Sequence, residues 1–113
     1  MEIVLEIISK LNKKIRLTKT QSAHIILHHP EVRGQEDRII LTLQRPDLIL
    51  FDKFRNNYNY YKKFKKTPVT QKMLHIIARH LNSEGFIITT YFTSKIMNQG
   101  RVVVYEKINN ELR

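Results

Sequence analysis

Cysteine is absent from the 113-residue chain. That excludes a disulfide framework and a thiolate zinc site, and leaves no sign of an oxidising compartment. Glycine and proline number three each, and no Gly/Ser linker, repeat or low-complexity tract divides the sequence. One domain over residues 1–113 is expected, long enough to bury roughly two-thirds of its unfolded surface without a metal or disulfide staple. Long apolar runs are missing too, so no segment is expected to cross a bilayer. The stretch Met1-Glu2-Ile3-Val4-Leu5-Glu6-Ile7-Ile8 carries acidic flanks and no small-residue cleavage site, unlike a secretory signal. Cytoplasmic residence and no membrane partner are the resulting expectations.

Acidic residues are also scarce: ten Asp and Glu stand against twenty Lys and Arg, a formal charge of +10. Such an excess steers polyanions toward the surface, with RNA the first candidate. The hydrophobic share, 42%, is ordinary globular usage, so a packed core is expected.

Apolar residues at 3, 4, 7, 8 and 11 follow a helical period, whereas the β-branching of Ile3, Val4, Ile7 and Ile8 favours a strand. Segment 2–11 stays open between the two. A short extended piece, Lys14 to Leu17, precedes Thr18-x-x-Gln21, a capping box opening a helix that Pro30 closes. A second helix is expected from about Gln35 to Gln44, stopped by Pro46. Beyond it the period changes to two, and Leu48 to Phe54, Tyr58 to Phe64, Gln71 to His80, Phe86 to Thr93 and Arg101 to Lys107 read as strands. Asn56-Asn57, Asn82 to Gly85 and Asn98 to Gly100 are turn material, and Asn109 to Arg113 reads as a frayed end. The fold expected is therefore α+β, with two short N-terminal helices packed on a curved, mainly antiparallel sheet of four or five strands.

Several side chains suit phosphodiester chemistry, which needs a base, an acid and cations or donors around the phosphate. His29 falls at a helix C-terminus, where it can cap the last carbonyls or act as an acid or phosphate clamp. His24 and His28 share a helical face, but no Glu lies between them and no third ligand follows at a diagnostic spacing, so no metal or cofactor is expected. In strand 86–93, Phe86, Ile88 and Phe92 are expected to face the core, with Ile87, Thr89, Tyr91 and Thr93 on a largely polar face. That row either binds phosphate and ribose or is ordinary solvent-facing β-sequence. From Tyr58 to Lys66 aromatics interleave with Lys62, Lys63, Lys65 and Lys66, as in base-stacking platforms and also in charged edge strands.

The sequence also resembles a known group. Its residues Ile15-Arg16-Leu17-Thr18, His24-Ile25, His29-Pro30-Glu31, Thr42-Leu43-x-x-Pro46-Asp47, Tyr60-Tyr61-Lys62 and Gly85 to Thr93 are similar in order and type to the phage-associated nuclease-like families of the barnase/EndoU/colicin/RelE (BECR) superfamily of small RNases. The likeness runs from Lys14 to Lys107, with His28 standing where the pattern usually has Arg. It implies metal-independent RNA cleavage, toxin-like or phage-derived. His29, Tyr61, Thr89 and Tyr91 would be catalytic, and Arg16, His24, Lys62, Lys63, Thr93 and Lys95 would bind substrate. Two other readings stay open: a non-catalytic RNA-binding module, and a domain that docks an acidic antitoxin or immunity protein.

Overall fold

β-Branching decides the first element. Ile3, Val4, Ile7 and Ile8 form a strand, β1 (Ile3–Ile8), in the computed structural model, which describes residues 2–108. β2 (Lys14–Thr18) follows and pairs with β1 antiparallel. Then come α1 (Lys19–His28), a 3-10 turn (Pro30–Val32) and α2 (Glu36–Gln44). The remaining strands are β3 (Leu48–Asp52), β4 (Asn57–Lys63), β5 (Met73–Leu81), β6 (Glu84–Thr93) and β7 (Arg101–Glu106). The end read as frayed, Asn109 to Arg113, lies outside the described residues.

The expected architecture is corrected on two counts. The helices do not lead the domain, because β1 and β2 precede them, and the sheet has seven strands rather than four or five, in the order β1-β2-β6-β5-β4-β3-β7. It is also mixed: β2 runs parallel to β6 over Lys14 to Arg16, opposite Glu84 to Phe86. Both differences have one origin. The short 14–17 piece is a full strand that bridges β1 to the rest, a long-range pairing that no local pattern announces.

α1 begins where the Thr18 hydroxyl accepts the Gln21 backbone N–H at 3.1 Å, satisfying one of the orphan donors of the first turn. The Gln21 side chain does not complete the capping box; its amide donates to the Ile88 carbonyl of β6. Ile25 of α1 and Ile39 and Leu43 of α2 join Ile15, Leu17, Ile49, Tyr60, Leu74, Ile76, Ile87 and Phe92 in one buried core. Burying such side chains contributes about 1.5–3 kcal/mol each before entropy is counted.

The expected alternation in β6 fails at its start: Phe86 is exposed and Ile87 is buried. A bulge is the cause, since Ile77 pairs with Thr89 and Ala78 with Ile87, which leaves Ile88 as an extra residue. Beyond it Thr90 and Phe92 are buried, while Thr89, Tyr91 and Thr93 alternate with them toward the other face.

Candidate functional site

On the sheet face opposite the main core, β4, β5 and β6 place Tyr61, His75 and Tyr91 directly across from one another. Cross-strand neighbours lie close enough for rings to touch. Tyr61 stacks on His75 with centroids 4.2 Å apart and planes 12° apart, and Tyr91 meets the same imidazole edge-on at 5.1 Å.

The imidazole is held on both nitrogens. Nε2 lies 2.8 Å from Asn59 Oδ1, and Nδ1 lies 3.0 Å from the Tyr91 hydroxyl. The Asn59 amide donates to Asn57 Oδ1 at 3.1 Å and toward the Leu50 carbonyl, which leaves Oδ1 as the acceptor. The network therefore assigns the hydrogen to Nε2 and leaves Nδ1 to accept the phenol proton. His75 is 1% exposed, and burial, with a smaller contribution from the Arg101 charge, pushes its pKa down to about 3. It is a neutral ring at physiological pH. Burial also raises the Tyr91 pKa, with Tyr61 adding to the rise and Arg101 opposing it, so the phenol keeps its proton.

The segment after β6 covers this row. The Met97 backbone N–H donates to the Tyr61 hydroxyl at 3.3 Å, while Arg101 donates from Nη1 to the Met97 carbonyl at 2.8 Å and to Tyr61 at 3.4 Å. Arg101 is anchored in turn by Nε to Asp52 Oδ2 at 3.2 Å. Asp52 is buried, and its pKa is lowered chiefly by the Arg55 backbone N–H, then by the hydrogen bonds from the Arg101 and Arg55 side chains. A buried carboxylate and a nearly buried guanidinium thus satisfy each other at the rim of the tyrosine–histidine row.

His29 reaches the row from a different element. Its backbone N–H donates to the Ile25 carbonyl at 2.7 Å and Pro30 fixes the chain immediately after it. The ring then stacks on Tyr91, with centroids 5.1 Å apart and planes 25° apart. Glu31 brings a carboxylate to 3.9 Å from its Nδ1, and the His29 side chain keeps 34% of its surface exposed.

No protein-family model, curated protein or solved structure matches the chain. The resemblance to small RNases therefore rests on the residues quoted for it.

Of the side chains read from the sequence, His29, Tyr61 and Tyr91 converge. Thr89 and Thr93 flank Tyr91 on its face of β6, and Thr93 Oγ1 accepts the Lys95 backbone N–H at 3.1 Å. Lys95 itself is exposed beside them. Tyr61, read as catalytic, has no exposed surface, so where it stands it braces His75 and the 94–100 segment and meets no solvent.

The other substrate-binding candidates are dispersed. Arg16 lies at the far end of β6 from Tyr91 and is engaged by Glu6 at 2.7 Å and Glu84 at 2.8 Å. It borders a groove of about 530 Å³ with Gln21, Leu81 and Phe86, apart from the histidine row. His24 meets His28 edge-on at 4.7 Å on exposed α1 surface. Lys62 points to the opposite sheet face, 3.8 Å from Asp47, and Lys63 is exposed at the end of β4. Among the described residues no group of three or more His, Asp or Glu stands together as a metal cage, and no helix is long and apolar enough to cross a membrane.

The sequence reading missed His75, Asn59, Arg101 and Asp52. His75 stands out only as a polar residue inside the apolar run Met73-Leu74-His75-Ile76-Ile77, Asn59 alternates with Asn57 in β4, and Asp52 and Arg101 sit at the ends of their strands.

Proposed function

We propose that this chain is a metal-independent endoribonuclease of the cytoplasm, toxin-like or phage-derived, working through His29 and Tyr91. The observation that carries the reading is the contact between an accessible imidazole and a phenol whose hydroxyl is aligned by a buried, neutral histidine. Imidazole is the side chain best suited to take and return a proton at neutral pH. The +10 charge draws the substrate in.

In this mechanism His29 removes the 2′-OH proton and the 2′-oxygen attacks phosphorus. The bond from phosphorus to the 5′-oxygen breaks as Tyr91, turning its hydroxyl from His75 Nδ1, protonates the leaving oxygen. The products are a 2′,3′-cyclic phosphate and a 5′-hydroxyl. His75 is a positioning residue, since Asn59 fixes its tautomer and it fixes the Tyr91 hydroxyl. Thr89, Thr93 and Lys95 stand beside Tyr91 where donors to the phosphate are needed.

One observation favours a second reading, an RNA-binding module without catalysis: the Tyr61, His75 and Asn59 polar groups are all paired internally and buried. Purified protein incubated with total RNA in EDTA separates the two. Cleavage to cyclic-phosphate ends, reduced by two or more orders of magnitude in His29→Ala with binding retained, supports catalysis. Binding without cleavage supports the module.

A further inference from the structure

The sheet face opposite the His75 row carries a groove of about 470 Å³, walled by Lys10, Arg45, Lys62, Lys107 and Tyr105. Tyr105 lies across from Ile49 of the main core, and Lys62 alternates with Tyr61, which places both on the helix-bearing face.

The groove walls are tied by backbone. Lys10 N–H donates to the Leu43 carbonyl at 2.8 Å, and Lys107 N–H to the Asp47 carbonyl at 2.9 Å. The β1–β2 turn, the end of α2 and the end of β7 therefore meet at one place, with a cation from each. Lys10 Nζ stands 5.1 Å from the centre of the Tyr105 ring, a cation–π placement that holds the ammonium in the groove.

Charge compensation among the described residues is incomplete there. Among the described residues Lys62 has Asp47 at 3.8 Å, while no carboxylate lies within ion-pair distance of Lys10, Arg45 or Lys107. The C-terminal end of α2 supplies about half a negative charge, enough to explain one neighbouring cation and not three. Like charges so gathered repel unless an anion joins them.

We propose that this groove is a second, non-catalytic RNA site that holds the phosphate backbone of a single strand, with Tyr105 keeping the Lys10 ammonium in place. The assignment rests on the proposed RNA function. The strand would cross from this groove around the sheet to the His29 and Tyr91 face, so that anchoring and cleavage are done by different residues. Such backbone tracking is sequence-tolerant.

The test measures binding of a short, fluorescent, 2′-O-methylated single-stranded oligoribonucleotide, which cannot be cleaved, across a salt series. Wild type is compared with Lys10→Gln/Arg45→Gln/Lys107→Gln, with each single substitution, and with Lys53→Gln. The triple variant is expected to lose at least about tenfold in affinity, and its log K against log salt should be shallower by about 2, at about 0.7 per phosphate lost. Each single variant should account for about 0.7, which keeps the test readable if the triple variant misfolds. Lys53→Gln, an exposed lysine outside the groove, should change the slope less than any of the three. A wild type that binds and a triple variant with unchanged slope and affinity would overturn the groove assignment and leave the nuclease reading intact. A wild type that binds no RNA removes both.

Discussion

His29 and Tyr91 stack face to face, with ring centroids 5.1 Å apart and planes 25° apart. The contact joins the end of α1 to the C-terminal part of β6, so the most accessible imidazole of the polar row rests on its most accessible phenol. The geometry is set by independent features: Pro30 fixes the backbone after His29, and the His75 hydrogen bond fixes the Tyr91 hydroxyl.

Tyr91→Phe separates chemistry from packing. The ring and its stack on His29 remain, while His75 Nδ1 loses its donor inside the protein. An unpaired buried acceptor costs about 1–3 kcal/mol, so unfolding should move to lower denaturant without abolishing the fold. RNA cleavage should fall by about 10²–10⁴, the range for loss of a general acid, with RNA affinity nearly unchanged. Retained cleavage would assign the leaving-group proton elsewhere.

Arg16→Gln should change RNA affinity and cleavage less than twofold. The guanidinium is already engaged by Glu6 and Glu84, and the Glu6 hydrogen bond, then the Glu84 charge, raises its pKa. An ion so compensated offers little to a phosphate. A large loss on substitution would bring Arg16 back into the substrate path.

Gly85→Ala tests the parallel junction. Gly85 lies between Ile15 of β2 and His80 of β5, and a Cβ there would run into the Arg79 carbonyl oxygen and come within 2.9 Å of Ile15 Cδ1. The carbonyl is backbone and has no room to yield. Overpacking of this kind costs about 1–3 kcal/mol, a fall of roughly 5 °C or more in Tm for a domain of this size. Thermal unfolding gives the answer, and an unchanged midpoint would mean that the Arg79 carbonyl of β5 does not approach Gly85 so closely.

Local chemistry accounts for what the sequence made readable. Thr18, Pro30 and Pro46 bracket the helices because a cap and a missing N–H act within one turn. The strands from Leu48 onward are legible because their period is two. β1 was not decided, since the spacing of Ile3, Val4, Ile7 and Ile8 fits a helix and their branching fits a strand. The parallel contact of β2 with β6 spans some seventy residues of sequence, and the Ile88 bulge inverts the expected facing of Phe86 and Ile87. The site was half legible: the element His29-Pro30-Glu31 and the row around Tyr91 stand out locally, whereas the role of His75 appears only once three strands have been registered side by side.

Stability should have a pH signature set by buried rings. Burial pushes His75 down to about 3 and His80 down to about 4, with Lys13 adding to the second effect. Above the ordinary imidazole value of 6.5 both rings are neutral in the folded and the unfolded chain, and they impose no pH dependence. Below it the unfolded chain takes up protons that the folded chain refuses, so stability is lost as pH falls from about 6.5 toward 4 and then 3. Each ring contributes a slope of up to about 1.4 kcal/mol per pH unit. Asp52, whose pKa is lowered in the fold, adds loss in the same direction at more acidic pH. Tyr60 acts at the other end: burial raises it from 10 to about 12, so stability present below pH 10 declines as pH rises through that window. Urea unfolding between about pH 7 and pH 4 should trace the acid limb, and His80→Gln should remove one ring's share of the slope. A flat profile over that interval would mean that both imidazoles reach water in the folded protein, and the buried, neutral His75 on which the Tyr91 alignment depends would have to be abandoned.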